Sequence, residues 1–112
     1  MKSLRYWHWM VLALCAVVSV IVLYRGHQVT EGHKAFERLG CPTCHGAGGA
    51  PSLEHVGRKY DRATFVLFIG DPETIYAQRD HKPLNAGYLP MPRLEASHHD
   101  VEVLSYFLSA QR

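Results

Sequence analysis

The apolar positions of this chain follow two regimes. Residues 6–24 run almost without interruption and contain no Asp, Glu, Lys or Arg and a single His. From residue 26 onward, apolar residues return only at helical intervals, between stretches of Gly and Pro. Nineteen residues rising about 1.5 Å each give a helix of roughly 28 Å, matched to the hydrocarbon core of a bilayer. Trp7, Trp9 and Tyr24 bracket the run, where amphipathic rings favour the membrane interface. Lys2 and Arg5 precede it, which predicts a cytoplasmic N-terminus and residues 26–112 on the outer side. A cleaved signal is the rival reading. Its apolar core is usually ~7–15 residues long and ends at a small-x-small site. Here the run is longer and closes with Val22-Leu23-Tyr24-Arg25. A lipoprotein box at Cys15 meets a bulky Leu14 just before the cysteine. The expectation is an uncleaved membrane anchor over residues 1–25, with Cys15 a small residue inside it.

Beyond the anchor the pattern predicts helices and no strands. Gly26-His27-Gln28-Val29 reads as a short polar stalk. Thr30 can cap a helix from Glu31 to about Leu39, with Phe36 and Leu39 on one face. Residues 40–51 hold four Gly and two Pro and are expected to be irregular. Asp61 caps a helix over 62–69 that stops at Gly70. Asp71-Pro72-Glu73 opens another short one. Residues 78–93, with three Pro and one Gly, read as a long loop. Ser97-His98-His99-Asp100 fits a capping box for a final helix over about 98–110, buried through Val101, Leu104, Phe107 and Leu108. The fold class is all-α, with one N-terminal transmembrane helix.

Length and charge narrow the function. The chain has 112 residues, and the 87 from 26 to 112 lie near the lower limit for a core that stabilises itself. A doubly wound nucleotide-binding sheet or a barrel enzyme does not fit. This region holds nine Lys and Arg against ten Asp and Glu, with no basic stripe along the sequence, so no nucleic-acid partner is expected.

The strong motif is Cys41-Pro42-Thr43-Cys44-His45. A Cys-x-x-Cys-His run is the attachment pattern of a c-type haem, with two thioethers to the vinyl groups and the histidine as axial iron ligand. The competing readings are weaker. A zinc site wants four ligands, and no other Cys follows residue 26. A thioredoxin-like dithiol belongs in a βαβ context that the pattern lacks. A disulfide between residues three apart closes too small a loop to stabilise much. A large apolar cofactor also accounts for the small core. The sixth iron position needs a second ligand, and Met91, between Pro90 and Pro92, is the one Met after residue 26. Flanking prolines fix the backbone and remove competing N–H donors. His27, His33, His55, His81, His98 and His99 are the rivals. His55 is the most serious of them, although it follows His45 by only ten residues.

Together these residues resemble the small monohaem class I cytochromes c, over residues 31–110. Gly32-x-x-x-Phe36 is similar to the family's first helix, whose Gly lets the final helix cross closely. Gly48-Gly49-Ala50-Pro51-Ser52-Leu53 resembles the turn after the haem histidine. The resemblance implies that the Pro51 carbonyl accepts the N–H of His45 and orients it. Gly57-Arg58-Lys59-Tyr60 resembles the segment reaching a haem propionate, implicating Arg58 and Tyr60. Leu89-Pro90-Met91-Pro92 resembles the Met-ligand loop. The chain departs from the family in having both Trp residues in the anchor and no dense Lys ring.

His/Met ligation closes both axial positions and raises the reduction potential relative to His/His. The expectation is therefore one covalent haem c and one-electron transfer rather than enzymatic turnover, with no small-molecule substrate. The setting expected is the periplasmic side of a bacterial cytoplasmic membrane. Redox proteins would dock weakly near Pro42, Ala47, Ala50 and Ala86. The protein would act either as a tethered carrier or as a subunit of a respiratory or photosynthetic complex. In the second case its helix would pack through Ala13, Cys15, Ala16 and Ser19. Signal cleavage would instead give a soluble periplasmic carrier. Failure of Met91 to bind would give a haem enzyme or sensor with an open iron site.

Overall fold

The computed structural model describes residues 2–45, 52–78 and 92–112. Among these the protein is all helix and loop, with no strand. The elements in order are α1 (Lys2–Arg38), α2 (Cys41–His45), a 3-10 turn (Val56–Arg58), α3 (Arg62–Gly70), α4 (Pro72–Gln78) and α5 (His98–Ser109).

The largest departure from the sequence reading lies in α1. The expected stalk at 26–29 and the separate helix starting at Thr30 are both absent. One helix of 37 residues passes through them without a break. Thr30 is not a cap: its hydroxyl donates to the Gly26 carbonyl one turn back, at 3.0 Å. This is how a threonine behaves inside a helix. Gly26 costs about 1 kcal/mol there relative to Ala. What holds this stretch helical is the next three turns, where Gln28, Gly32 and Ala35 are buried against α5. No residue from Lys2 to His27 is buried within the molecule. Leu23, Trp9 and Tyr6 are among the large side chains left bare. α1 is thus long and apolar enough to cross a membrane in its first part, and packed against protein in its second.

α5 lies between α1 and α3 and carries most of the core. Val101, Val103, Leu104 and Leu108 are buried with Ala35 of α1, Phe65 and Ile69 of α3, and Val56 of the 3-10 turn. Phe107, expected in the buried face, is only half-buried. Its ring meets Phe36 at 5.2 Å and His33 at 5.1 Å between centroids. Gly32 makes the α1–α5 crossing close: a Cβ there would lie 2.1 Å from the Val103 carbonyl oxygen and 2.6 Å from the Phe107 Cβ.

The helix starts follow local signals. Asp61 caps α3 by accepting from the Thr64 N–H at 2.8 Å, and Asp71 accepts from the Thr74 N–H at 3.3 Å. At α5 both arms of the capping box are made: Asp100 N–H to Ser97 Oγ at 3.1 Å, and Ser97 N–H to Asp100 Oδ2 at 3.2 Å. Asp100 also pairs with Arg38, joining the start of α5 to the end of α1.

Candidate functional site

The Cys-x-x-Cys-His motif sits directly beyond the end of α1. Gly40 ends that helix with φ at +76°, in the left-handed region where glycine carries no Cβ penalty. The chain then turns at once into α2. Residues 41–45 were expected to be irregular and are helical instead. Pro42 is tolerated because it falls in the first turn, where an N–H has no helical partner to lose. Thr43 N–H closes the turn onto the Gly40 carbonyl at 3.0 Å.

This short helix decides how the motif is presented. Cys41 and Cys44 are three residues apart on a helix and so leave the same face. Both thiols are free; Cys41 is half-buried and Cys44 exposed. His45 follows at the end of the helix, half-buried. Burial pushes the Cys41 thiol above its ordinary range, and the neighbouring Cys44 adds to the shift. That is the reverse of the lowered thiol that makes a Cys-x-x-Cys dithiol reactive.

Among the described residues no three His, Cys, Asp or Glu side chains come together as a cage for a metal ion. A haem asks for less from the protein: two thiols on one face, an adjacent imidazole and apolar cover. The first two are present in α2. For the third, Leu39, next to the motif at the end of α1, is only half covered by the described protein, as are Leu53, Leu67, Phe68 and Leu94 elsewhere in the domain. The donor set fits the group.

The other expected site residues divide. Met91 and Pro51 lie outside the described residues, as do Ala47, Ala50, Ala86 and His81. Tyr60 is half-buried, with its ring edge-on to Phe65 at 6.1 Å and Phe68 at 5.3 Å. Arg58 is exposed at the end of the 3-10 turn. Arg58 and Tyr60 line one cleft, together with Arg25 and Val29 of α1 and Tyr106 and Ser109 of α5. Cys41, Cys44 and His45 are not among the residues lining it.

The rival histidines are engaged elsewhere or exposed. His33 lies 3.3 Å from Glu37 and packs on Phe107. His55 lies 3.5 Å from Glu54, more than half exposed, in a left-handed conformation (φ 58°) that precedes the 3-10 turn. His98 and His99 occupy the exposed first turn of α5, and His27 is exposed on α1.

The charge of the cleft is the feature that reading along the sequence missed. Arg25, Arg58, Lys59, Arg62 and Arg112 line it, with Asp61 the one carboxylate side chain among the described residues there. Arg58, Lys59 and Arg62 are close in sequence, but only the fold adds Arg25 of α1 and Arg112 to them.

No family model, curated protein or solved structure matches the chain.

Proposed function

We propose that this protein is a membrane-anchored monohaem cytochrome c. In this reading it carries single electrons on the periplasmic side of a bacterial cytoplasmic membrane. The observation that carries the proposal is the Cys41-x-x-Cys44-His45 motif on one short helix, both thiols unpaired, immediately beyond a helix apolar enough to cross a bilayer.

Haem c, when bound, supplies an iron that accepts and releases one electron. Cys41 and Cys44 would hold it through two thioether bonds, and His45 would ligate its iron. The Pro51 carbonyl would hold the His45 imidazole in one orientation by accepting its ring N–H, keeping the histidine still during electron exchange. Met91 would supply a thioether as the second iron ligand, which keeps substrate off the iron and favours the reduced state. Tyr60 and Arg58 are the candidates for the propionate side. Leu39, Leu53, Leu67, Phe68 and Leu94 would exclude water, lowering the reorganisation that accompanies a change of charge. The bond set leaves no open position for chemistry on a substrate.

The test is to express the full chain in a bacterium that matures c-type cytochromes and to isolate its membranes. The expected product has an intact mass of the chain plus one haem, residues 1–25 included. It shows the narrow visible bands of a reduced low-spin haem, a one-electron redox titration and no binding of carbon monoxide when reduced. Unmodified thiols at Cys41 and Cys44 would overturn the haem assignment. Ready carbon monoxide binding would instead replace the carrier by an open-site haem protein.

A further inference from the structure

The basic cleft sits where a membrane surface would meet the domain. Its outer marker is Tyr24, the last residue of the apolar run, whose ring is edge-on to Tyr106 of α5 at 6.3 Å between centroids. Arg25, the next residue, lines the cleft, and so does Val29 one turn further on. The cleft is open and measures about 930 Å³, within the size range of small-molecule binding sites, whose upper end is about 1,000 Å³.

Its charge is unbalanced. Even with Arg58 left to the haem, Arg25, Lys59, Arg62 and Arg112 outnumber the one carboxylate side chain described there, Asp61, and remain in excess with the main-chain carboxylate of Arg112 counted. That carboxylate is occupied by Thr64, whose N–H and hydroxyl both donate to it, at 2.8 and 2.6 Å. None of the four cations forms an ion pair with a described residue. The Arg62 guanidinium lies over the Tyr106 ring at 4.2 Å. Stacking engages the face of the guanidinium and leaves its N–H edge able to meet an oxyanion in a forked pair. Val29, Tyr60 and Tyr106 give the same cleft apolar wall.

We propose that this cleft binds the phosphodiester headgroup of an anionic phospholipid from the outer leaflet, clamping the domain against the bilayer. The proposal rests on the uncleaved anchor, because the anchor sets the cleft at headgroup level. Arg62 and Arg112 grip the phosphate, Arg25 reaches it from the membrane side as a side chain at a helix end does, and Val29 and Tyr106 face the glycerol. An acidic protein partner would meet the same charge, but the position of Tyr24 at the end of the apolar run favours the headgroup.

The test is native mass spectrometry of the full chain extracted in mild detergent and offered phosphatidylglycerol or phosphatidylcholine. The wild type is expected to keep phosphatidylglycerol at least tenfold better. An Arg25→Gln/Arg62→Gln/Arg112→Gln variant is expected to lose that preference while keeping the same helical circular-dichroism spectrum. Adding inorganic phosphate should displace the lipid only weakly. Equal retention of the two lipids by the wild type overturns the proposal, and so does a preference that survives in the triple variant. Complete displacement by inorganic phosphate would make this a free-phosphate site, which also overturns it. The same spectra report chain mass. An intact chain without lipid preference defeats this proposal alone, whereas loss of residues 1–25 from the mature protein defeats it together with the anchor.

Discussion

Gly32 and Val103 touch backbone to backbone: the Val103 carbonyl oxygen occupies space that any side chain on residue 32 would need, 2.1 Å from an ideal Cβ. This contact sets the separation of α1 and α5, around which the remaining helices pack. Gly32→Ala is therefore expected to destabilise the domain by about 1–3 kcal/mol, the usual result of overpacking a close crossing. Gly26→Ala is the contrasting case. Gly26 lies in the same helix with nothing within 4 Å of its would-be Cβ, so the change should stabilise by about 0.5–1 kcal/mol through helix propensity alone. Thermal unfolding of the two variants checks both signs.

Acid should loosen the helix starts. Burial raises the Asp100 carboxyl, but the bonds from Arg38 and Ser97 outweigh it and hold the group below its ordinary value of 3.8. Asp61 and Asp71 are also lowered, by bonds from Thr64 and Thr74. A carboxylate whose folded pKa is depressed contributes stability that is complete above its unfolded value and disappears as pH falls through the folded one. The domain is therefore expected to keep constant stability from these groups above about pH 5 and to lose it progressively below pH 4. Asp100→Asn can still accept at the cap but cannot pair with Arg38 as an ion. It should be less stable at pH 7 and show a flatter loss between pH 5 and 2 in denaturant titrations.

Replacing Cys41 and Cys44 by Ser should leave the chain in the membrane, because α1 is unaltered, but without covalent haem. If the haem supplies the missing apolar cover for Leu53, Leu67 and Phe68, the variant's outer domain should be cut rapidly by protease. A haem-free double variant as protease-resistant as the wild type would falsify this role.

Met91→Ala should remove the weak near-infrared sulfur-to-iron band of the oxidised protein, admit carbon monoxide to the reduced iron and lower the reduction potential. His55→Ala should change none of these. The reverse pattern would transfer the distal role to His55.

Much of the helix plan was written locally. The caps at Asp61 and Ser97, the stop at Gly70 and the Pro72 start each depend on residues within one turn, so reading along the chain finds them. α1 resisted that reading for the opposite reason. Gly26 and the polar residues after it look like a stalk until α5, more than 70 residues away, supplies the surface that keeps them helical. α2 was hidden by Pro42 and by the glycines on either side of it, since whether Pro42 breaks or begins a helix depends on where the turn starts. The candidate site was legible in its chemistry because Cys41, Cys44 and His45 are contiguous. The basic cleft was not, because only folding brings Arg25 and Arg112 to Arg58, Lys59 and Arg62.

If the apolar part of α1 spans a membrane, as proposed, the unbroken course of α1 makes it a compass for the domain. At about 100° per residue, the stripe of Gln28, Gly32 and Ala35 that faces α5 continues inward through Tyr24, Ile21 and Val17. Cys15 and Ser19 lie on the opposite side, where the Ser19 hydroxyl is already satisfied by the Cys15 carbonyl at 2.8 Å. A neighbouring helix that packs on those small residues would turn α5 away from itself and fix the bearing of the whole outer domain. A neighbour on the Val17–Ile21 side would lie directly beneath α5. In the anchored reading proposed above, α1 runs unbroken from its apolar part into the domain, so the membrane neighbour would also select which outward face a redox partner meets.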